Sequence, residues 1–285
     1  MSVSDVTPNA ALPRVDEDFE GRGQGITQHV RLSRHNAVLL IEMVQEQNRN
    51  AMTADMKAAL GEAFAQASSP EVRSVVITGS GKAFCAGGDI KAMQEPRTRE
   101  SVEATMRRIN ETLVLPLFEL PKPTFAAVNG VAAGAGVGIA LACDFRVVSD
   151  KADFVFAFSR LGLVPDFALS FTLPRLVGGA RAKELALLKG RLTAEEAERW
   201  GLVTELCAPG VVLDRAMELA ARLAAGPTVA LGFTKRMLDR SPTLGVHAAL
   251  ELEATSQSAA AVTRDHEVAR QAFLHRDGAP SFEGR

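Results

Sequence analysis

The chain has 285 residues, 47% of them apolar and 23% charged, with a formal net charge of −2 at pH 7. That is enough apolar matter for a substantial core, too much for a disordered chain, and too little positive charge for a phosphate-tracking nucleic-acid binder. Three cysteines without CxxC spacing (Cys85, Cys143, Cys207) point to reduced thiols, not to a disulfide frame or a zinc site, and the lack of tyrosine excludes any mechanism that needs a phenol.

Residues 1–25 carry Asp16, Glu17, Asp18 and Glu20 and no apolar run. That pattern predicts a mobile arm, not a signal peptide, and a cytoplasmic protein. Residues 26–32 and 37–44 run apolar or alternate around a polar turn at 33–36, as a hairpin does. Residues 53–67 place Met56, Leu60 and Phe64 at helical spacing and stop at Ser68-Ser69-Pro70. An apolar strand at 72–78 enters a glycine-rich loop at 79–88. A charged, mobile stretch at 94–103 precedes a helix running to about Leu120. A strand at 124–128, a glycine-rich turn, a helix and a strand at 145–149 follow. The run 123–143 has no charge, yet Asn129-Gly130, Gly134, Gly136 and Gly138 divide it into a buried strand, a turn and a buried helix instead of a membrane span. Beyond Ala180 the pattern predicts helix almost throughout, with a capping box at Thr193 and Glu196 and a stop at Gly201. Strand–strand–helix units followed by a helical tail predict an α/β core with an α-helical C-terminal subdomain.

Two glycine-rich segments are candidates for chemistry. Gly79-Ser80-Gly81-Lys82 lacks the GxxxxGK spacing of a phosphate loop, and Ala83 follows where Ser or Thr is required. Gly134-Ala135-Gly136-Val137-Gly138 reads GxGxG where a dinucleotide fingerprint needs GxGxxG. Singly, each fits a tight turn or a close helix contact. Together they place small residues at two strand-to-helix junctions, where backbone N–H groups are free and the helix start is positive. Two such groups converging on one oxygen form an oxyanion hole.

Asn50-Ala51-Met52-Thr53, then Lys82-Ala83-Phe84-Cys85-Ala86-Gly87-Gly88-Asp89-Ile90-Lys91, then Pro121-Lys122-Pro123-Thr124 through Asn129-Gly130-Val131-Ala132-Ala133-Gly134-Ala135-Gly136 resemble, in order and spacing, the signature of the crotonase (enoyl-CoA hydratase/isomerase) superfamily. The resemblance runs from about Ile26 to the C-terminus. It implies a spiral of ββα units with an α-helical C-terminal subdomain, homotrimers or dimers of trimers, and acyl-CoA thioesters as substrates. Coenzyme A then arrives on the substrate, with no separate cofactor, no metal, and no nucleic-acid or membrane partner. On this resemblance the chain divides into the arm (1–25), an acyl-CoA-binding core (26–210) and a helical subdomain for trimerisation and CoA cover (211–285). Position by position, it makes Gly88 and Ala135 the oxyanion donors and lays Ala86, Ile90 and Lys91 against the adenine end of CoA. Ala272-Phe273-Leu274-His275-Arg276 resembles the family's tail, implying that Phe273 and a cation, His275 or Arg276, reach a neighbouring subunit's CoA.

Departures from the family pattern narrow the chemistry. The two glutamates with which its hydratases place and deprotonate water fall on Gly138 and Phe158. Without an acid/base pair, water addition loses roughly 10²–10⁴-fold, so simple hydration is not expected. The segment from Phe158 to Asp166 resembles instead the branches with Asp or Glu just after its proline: Δ3,Δ2-enoyl-CoA isomerases and ring-opening isomerases of phenylacetyl-CoA degradation. Their chemistry needs one base that removes a proton and returns it elsewhere. Asp166, between Pro165 and Phe167-Ala168-Leu169, has apolar neighbours that raise a carboxylate's pKa. Capping a helix that begins near Phe167 is its ordinary alternative role. Phe158 and Phe167 are expected to wall a hydrophobic or aromatic acyl group. A hydratase with another base and a non-catalytic acyl-CoA binder stay open beside the isomerase. Plainer roles fall to Asp89 (a helix cap), Cys85 (a small buried residue), Asp144 with Arg146 (a structural pair), Trp200 (core) and residues 265–267 (a solvated helix face). The five histidines show no metal-ligand spacing.

Overall fold

The computed structural model describes residues 28–89, 91–94, 96–276 and 278–285, so the expected arm at 1–25 and Ile90 lie outside the described residues. The chain opens with an antiparallel hairpin, β1 (Val30–His35) and β2 (Val38–Met43). Its turn is Asn36-Ala37, not 33–36, because Asn36 takes the left-handed backbone (φ 54°) that a two-residue turn needs. α1 (Ala54–Ala67) starts beneath the Thr53 hydroxyl, which accepts from the Met56 N–H at 3.1 Å. β3 (Ser74–Gly79), β4 (Ala83–Cys85) and α2 (Arg99–Ile109) follow. Part of the charged stretch expected ahead of this helix belongs to it, since Thr98 and Ser101 cap it reciprocally. A π-helical segment, Asn110–Val114, leads into α3 (Leu115–Phe118).

Next come β5 (Thr124–Val128), β6 (Val131–Ala133), α4 (Ala135–Ala142), β7 (Phe145–Ser149) and β8 (Asp153–Val155). α5 (Leu169–Lys183), β9 (Arg191–Thr193), α6 (Ala194–Arg199) and β10 (Glu205–Cys207) precede α7 (Val212–Ala224), α8 (Thr228–Arg240), α9 (Val246–Ala261) and α10 (Arg264–His275). The capping box of Thr193 and Glu196 is present at the start of α6. β9 and β10 interrupt a region whose pattern predicts helix. Each is three residues long and is held by an earlier strand, β9 by β8 and β10 by β7, a cause that local periodicity does not carry.

Six strands form one sheet in the order β1-β2-β3-β5-β7-β10, and four form a second in the order β4-β6-β8-β9. The chain deals its strands alternately, β3 then β4, β5 then β6, β7 then β8, with a helix after each pair. This is an α/β spiral of ββα units. Both faces of the larger sheet are covered. Met56, Leu60 and Phe64 of α1 join Leu39, Ile41, Val75 and Ile77 on one face. On the other, Val212, Ala216, Ala220 and Ala224 of α7 meet Val38, Leu40, Val76 and Phe125. Spaced at i, i+4, these four present a single stripe, and α7 packs it against the larger sheet. Helices α9 and α10 bury only Ser256 and Asp265. Among the described residues, no helix is long and apolar enough to cross a membrane.

Two of the plainer expectations change, and one is met. Asp144 does not pair with Arg146: its carboxylate holds Lys235 (2.9 Å) and accepts from the Thr124 N–H (2.8 Å), while the buried Arg146 guanidinium donates to the carbonyls of Cys143, Asp144 and Leu202. Trp200 packs against the core as expected, half-buried, with the cations of Arg181 (5.4 Å) and Lys189 (5.6 Å) over its ring. Asp265 is not solvated but 1% exposed, because the end of the chain folds over it.

Candidate active site

The loop between β3 and β4 is pinned from two sides. Asn50, buried in left-handed backbone (φ 57°), donates through Nδ2 to the carbonyls of Ser80 (3.0 Å) and Ala83 (2.9 Å), and its Oδ1 accepts from the Gln45 N–H (2.9 Å). Asn129, following β5, donates to the Gly81 carbonyl (3.0 Å). The chain leaving β4 bends at Gly87 (φ 86°), where a Cβ would lie 2.6 Å from the Ala133 carbonyl oxygen and 3.5 Å from Gly134 Cα. Gly134 (φ 48°) is the N-cap of α4. The two glycine segments therefore touch backbone to backbone, and Gly88 and Ala135 are the residues that follow the contact. Ala135 begins α4, so its N–H is one of the orphan donors of a helix start, with the positive end of the helix behind it. Neither the Gly88 nor the Ala135 N–H donates in the hydrogen bonds of the described loops and turns.

Cys85 packs against Gly136, and its sulfur accepts from the Gly87 N–H at 3.4 Å. Burial pushes this thiol up to about 12, so it is a packing group and not a thiolate.

Two phenylalanines cover successive turns of α4. The Phe158 Cζ lies 3.7 Å from the place of a Cβ on Gly134. Phe167 is seated so close to Gly138 that a Cβ there would fall 2.3 Å from its own Cβ. Asp166 immediately precedes Phe167. Its Oδ1 is buried and has no hydrogen-bond partner among the described residues. Burial raises this carboxyl to about 6, against the downward pull of its own backbone N–H and of the Lys57 ammonium. Asp166 does not cap α5: the helix begins at Leu169, its cap is Ala168 (φ 59°), and no side-chain cap bond is made. The Leu169 N–H bonds instead to the Asp166 backbone carbonyl at 3.0 Å.

The other sequence candidates sit as follows. Ala86 is half-buried beside the Gly87 bend, its N–H bonded to the Arg49 carbonyl at 2.9 Å. Lys91 opens a short 3-10 turn, Lys91–Gln94. Phe273, 83% exposed, and Arg276 stand at the end of α10, which packs on α9; within one chain they are not part of this cluster. A cavity of about 460 Å³ lies at the far end of α4, lined by Leu141, Asp144, Phe171, Lys235 and Leu238, and contains none of Gly88, Ala135 and Asp166.

Sequence reasoning missed two contributors. Lys57 on α1 is half-buried; desolvation and the charges of Arg108 and Arg97 lower its pKa, while Asp89 and Asp166 raise it. Nothing local marks it, because only packing brings α1 beside residues 158–167. Asn50 was part of a motif without a role, although asparagine's tolerance of left-handed backbone is a signal for a pinning turn.

The family model described as enoyl-CoA hydratase/isomerase matches residues 33–285. The 1,2-epoxyphenylacetyl-CoA isomerase of Escherichia coli K12 is 36% identical over 251 residues, covering 87% of this chain and 95% of its own. The carnitinyl-CoA dehydratase of Salmonella arizonae is 36% identical over 214 residues, 74% of this chain and 80% of its own. The crystal structure of an enoyl-CoA hydratase from Polaromonas sp. JS666 superimposes with a TM-score of 0.83 at 33% identity, covering 89% of this chain and 99% of that one.

Proposed function

The chain belongs to the enoyl-CoA hydratase/isomerase family, and from that premise we propose that it is an acyl-CoA isomerase, shifting a double bond or opening a strained ring through an enolate. One observation carries this: a half-buried carboxylate, Asp166, whose Oδ1 is buried and unpartnered among the described residues, directly before a side chain packed one turn along the helix whose first N–H is Ala135's. In this mechanism the thioester carbonyl oxygen accepts from the Gly88 and Ala135 N–H groups, which stabilise it as charge develops. Asp166 takes a proton from carbon, leaving the electron pair in the enolate, and returns that proton to a different carbon as the new double bond forms. Protonated, it is in the state its apolar surroundings favour; near pH 7, with a pKa of about 6, it is mostly ionised and ready to act. The cycle is redox-neutral and restores the base, so it asks for no cofactor beyond the CoA carried by the substrate.

Phe158 and Phe167 supply the apolar wall, and Ala86, Ile90 and Lys91 the adenine end. Exposed Val246, Leu250, Phe273 and Leu274 on α9 and α10 support self-association, with Phe273 and Arg276 covering a neighbour's CoA. The E. coli epoxyphenylacetyl-CoA isomerase favours isomerisation, while the hydratase and dehydratase names among the similar proteins make water addition the competing outcome. Against it, Gly138 and Phe158 offer no second acid or base, and Phe167 already fills the space over Gly138.

A parallel spectroscopic assay on 3-enoyl-CoA and 2-enoyl-CoA, with wild type and Asp166→Asn, decides. Conversion of the 3-enoyl to the conjugated 2-enoyl thioester, lost in the variant, is expected. Water addition to the 2-enoyl-CoA that survives the substitution overturns the proposal.

A further inference from the structure

We infer that Phe167 is a steric stop that ends the acyl site about one helical turn beyond the oxyanion position, so that the protein takes compact acyl groups, a short chain or a single ring, and rejects long chains. The inference rests on the acyl-CoA site proposed above. Phe158 lies over Gly134, beside the Ala135 N–H, and Phe167 lies over Gly138, four residues on, roughly 6 Å along the axis of α4. Where Phe167 meets Gly138, the space left between it and Phe64, Leu113, Leu117 and Ile139 is only about 10 Å³. A space of that size is at the lower limit for one water, and its apolar lining keeps it dry. No chain end enters it while the ring is in place.

The backbone shows how firmly the stop is held. Phe167 (φ 48°) and Ala168 (φ 59°) both adopt left-handed conformations that bulky L-residues avoid. Such strain persists only where surrounding contacts over-determine it. Those contacts are on the other side of the pair: a Cβ on Gly138 would meet not only Phe167 Cβ but also its carbonyl oxygen at 2.9 Å and Cγ at 3.3 Å. Absence of a side chain at 138 thus admits the ring, and the ring fills what a side chain there would have occupied. Since Asp166 is the preceding residue, the same seat that closes the pocket also orients the proposed base.

The test is calorimetric binding of saturated butanoyl-, phenylacetyl- and decanoyl-CoA, which cannot isomerise, to wild type, Phe167→Gly and Phe167→Leu. Glycine suits the positive φ, and leucine keeps part of the packing should the first variant unfold. Wild type is expected to bind butanoyl- and phenylacetyl-CoA about tenfold or more tightly than decanoyl-CoA, the scale on which a filled apolar pocket discriminates chain length. Phe167→Gly is expected to remove that gap, with Phe167→Leu between. Equal affinity of wild type for butanoyl- and decanoyl-CoA, or a chain-length profile unchanged in both variants, overturns the stop. Either result leaves the isomerase proposal standing, because binding here involves no proton transfer. Failure of every thioester to bind overturns both.

Discussion

Asp265 and Asp166 both carry buried carboxylate oxygens, and they differ in the hydrogen-bond partners those oxygens find. Asp265, in the first turn of α10, is 1% exposed; its Oδ1 accepts from the Glu283 N–H (2.7 Å) and its Oδ2 from the Gly284 N–H (2.8 Å). Nearby, the Arg73 guanidinium donates to the Phe282 carbonyl (2.9 Å) and to Thr228 Oγ1 (2.8 Å), tying the same tail to the start of α8. Asp166 has a buried oxygen with no donor among the described residues, the core aromatic Phe167 next to it in the chain, and a pKa lifted to about 6. A carboxylate with donors to both oxygens is a structural fastener; one with a buried oxygen left without a donor is held ready to take a proton. Asp265 is the more deeply buried of the two, yet it is the donors on both its oxygens that set its role apart.

Exchanging the two acids for their amides sharpens the contrast most. Asp166→Asn removes the proposed base, and kcat/KM for isomerisation is expected to fall roughly 10²–10⁴-fold, with thioester binding retained in calorimetry. Asp265→Asn, at a residue with no part in the proposed site, is expected to leave the rate per folded molecule unchanged. A comparable rate loss in both would erase the distinction.

Stability should respond in the opposite sense. Asp265→Ala removes two charge-assisted hydrogen bonds and frees the tail, at a cost of about 3 kcal/mol in urea unfolding. Asp166→Asn is expected to stabilise the fold near pH 8, by up to about 3 kcal/mol if the full shift from 3.8 to about 6 is expressed. The sign follows from linkage. Below the unfolded value the carboxyl is neutral in both states and costs nothing. As pH rises through about 6 the folded chain must hold a charge that water would hold better. The gain in the amide variant should therefore grow between pH 4 and pH 7 and vanish below pH 4 in melting curves recorded across that range. The same ionisation sets the acid limb of activity, so kcat/KM of the wild type should fall as pH drops through about 6. The smallest effect expected is from Lys57→Met, which removes the ammonium that lowers Asp166 and should move that limb upward by a fraction of a unit. An unmoved or lowered limb would show that Lys57 does not act on this base.

Much of this was legible along the chain because its causes are local. Thr53 caps α1, Thr193 and Glu196 cap α6, and the strands Thr124–Val128 and Phe145–Ser149 are short, largely apolar segments; each is decided by residues a few positions apart. The two glycine segments, and a single carboxylate after Pro165 among apolar neighbours, were likewise visible as patterns. Tertiary structure alone decided that Gly87 abuts Gly134, that Phe167 sits on Gly138, and that Lys57 comes near Asp166. It also decided that Asp144 holds Lys235, that β9 and β10 are strands, and that Asp265 is buried beneath the tail. In all of these the partner is distant in sequence, and the contact exists only once two covered sheet faces have fixed where each element lies. Caps, turns and periodicity are short-range physics and can be read from neighbours. Which groups lose water, and which of them find a donor, depends on the whole packed fold.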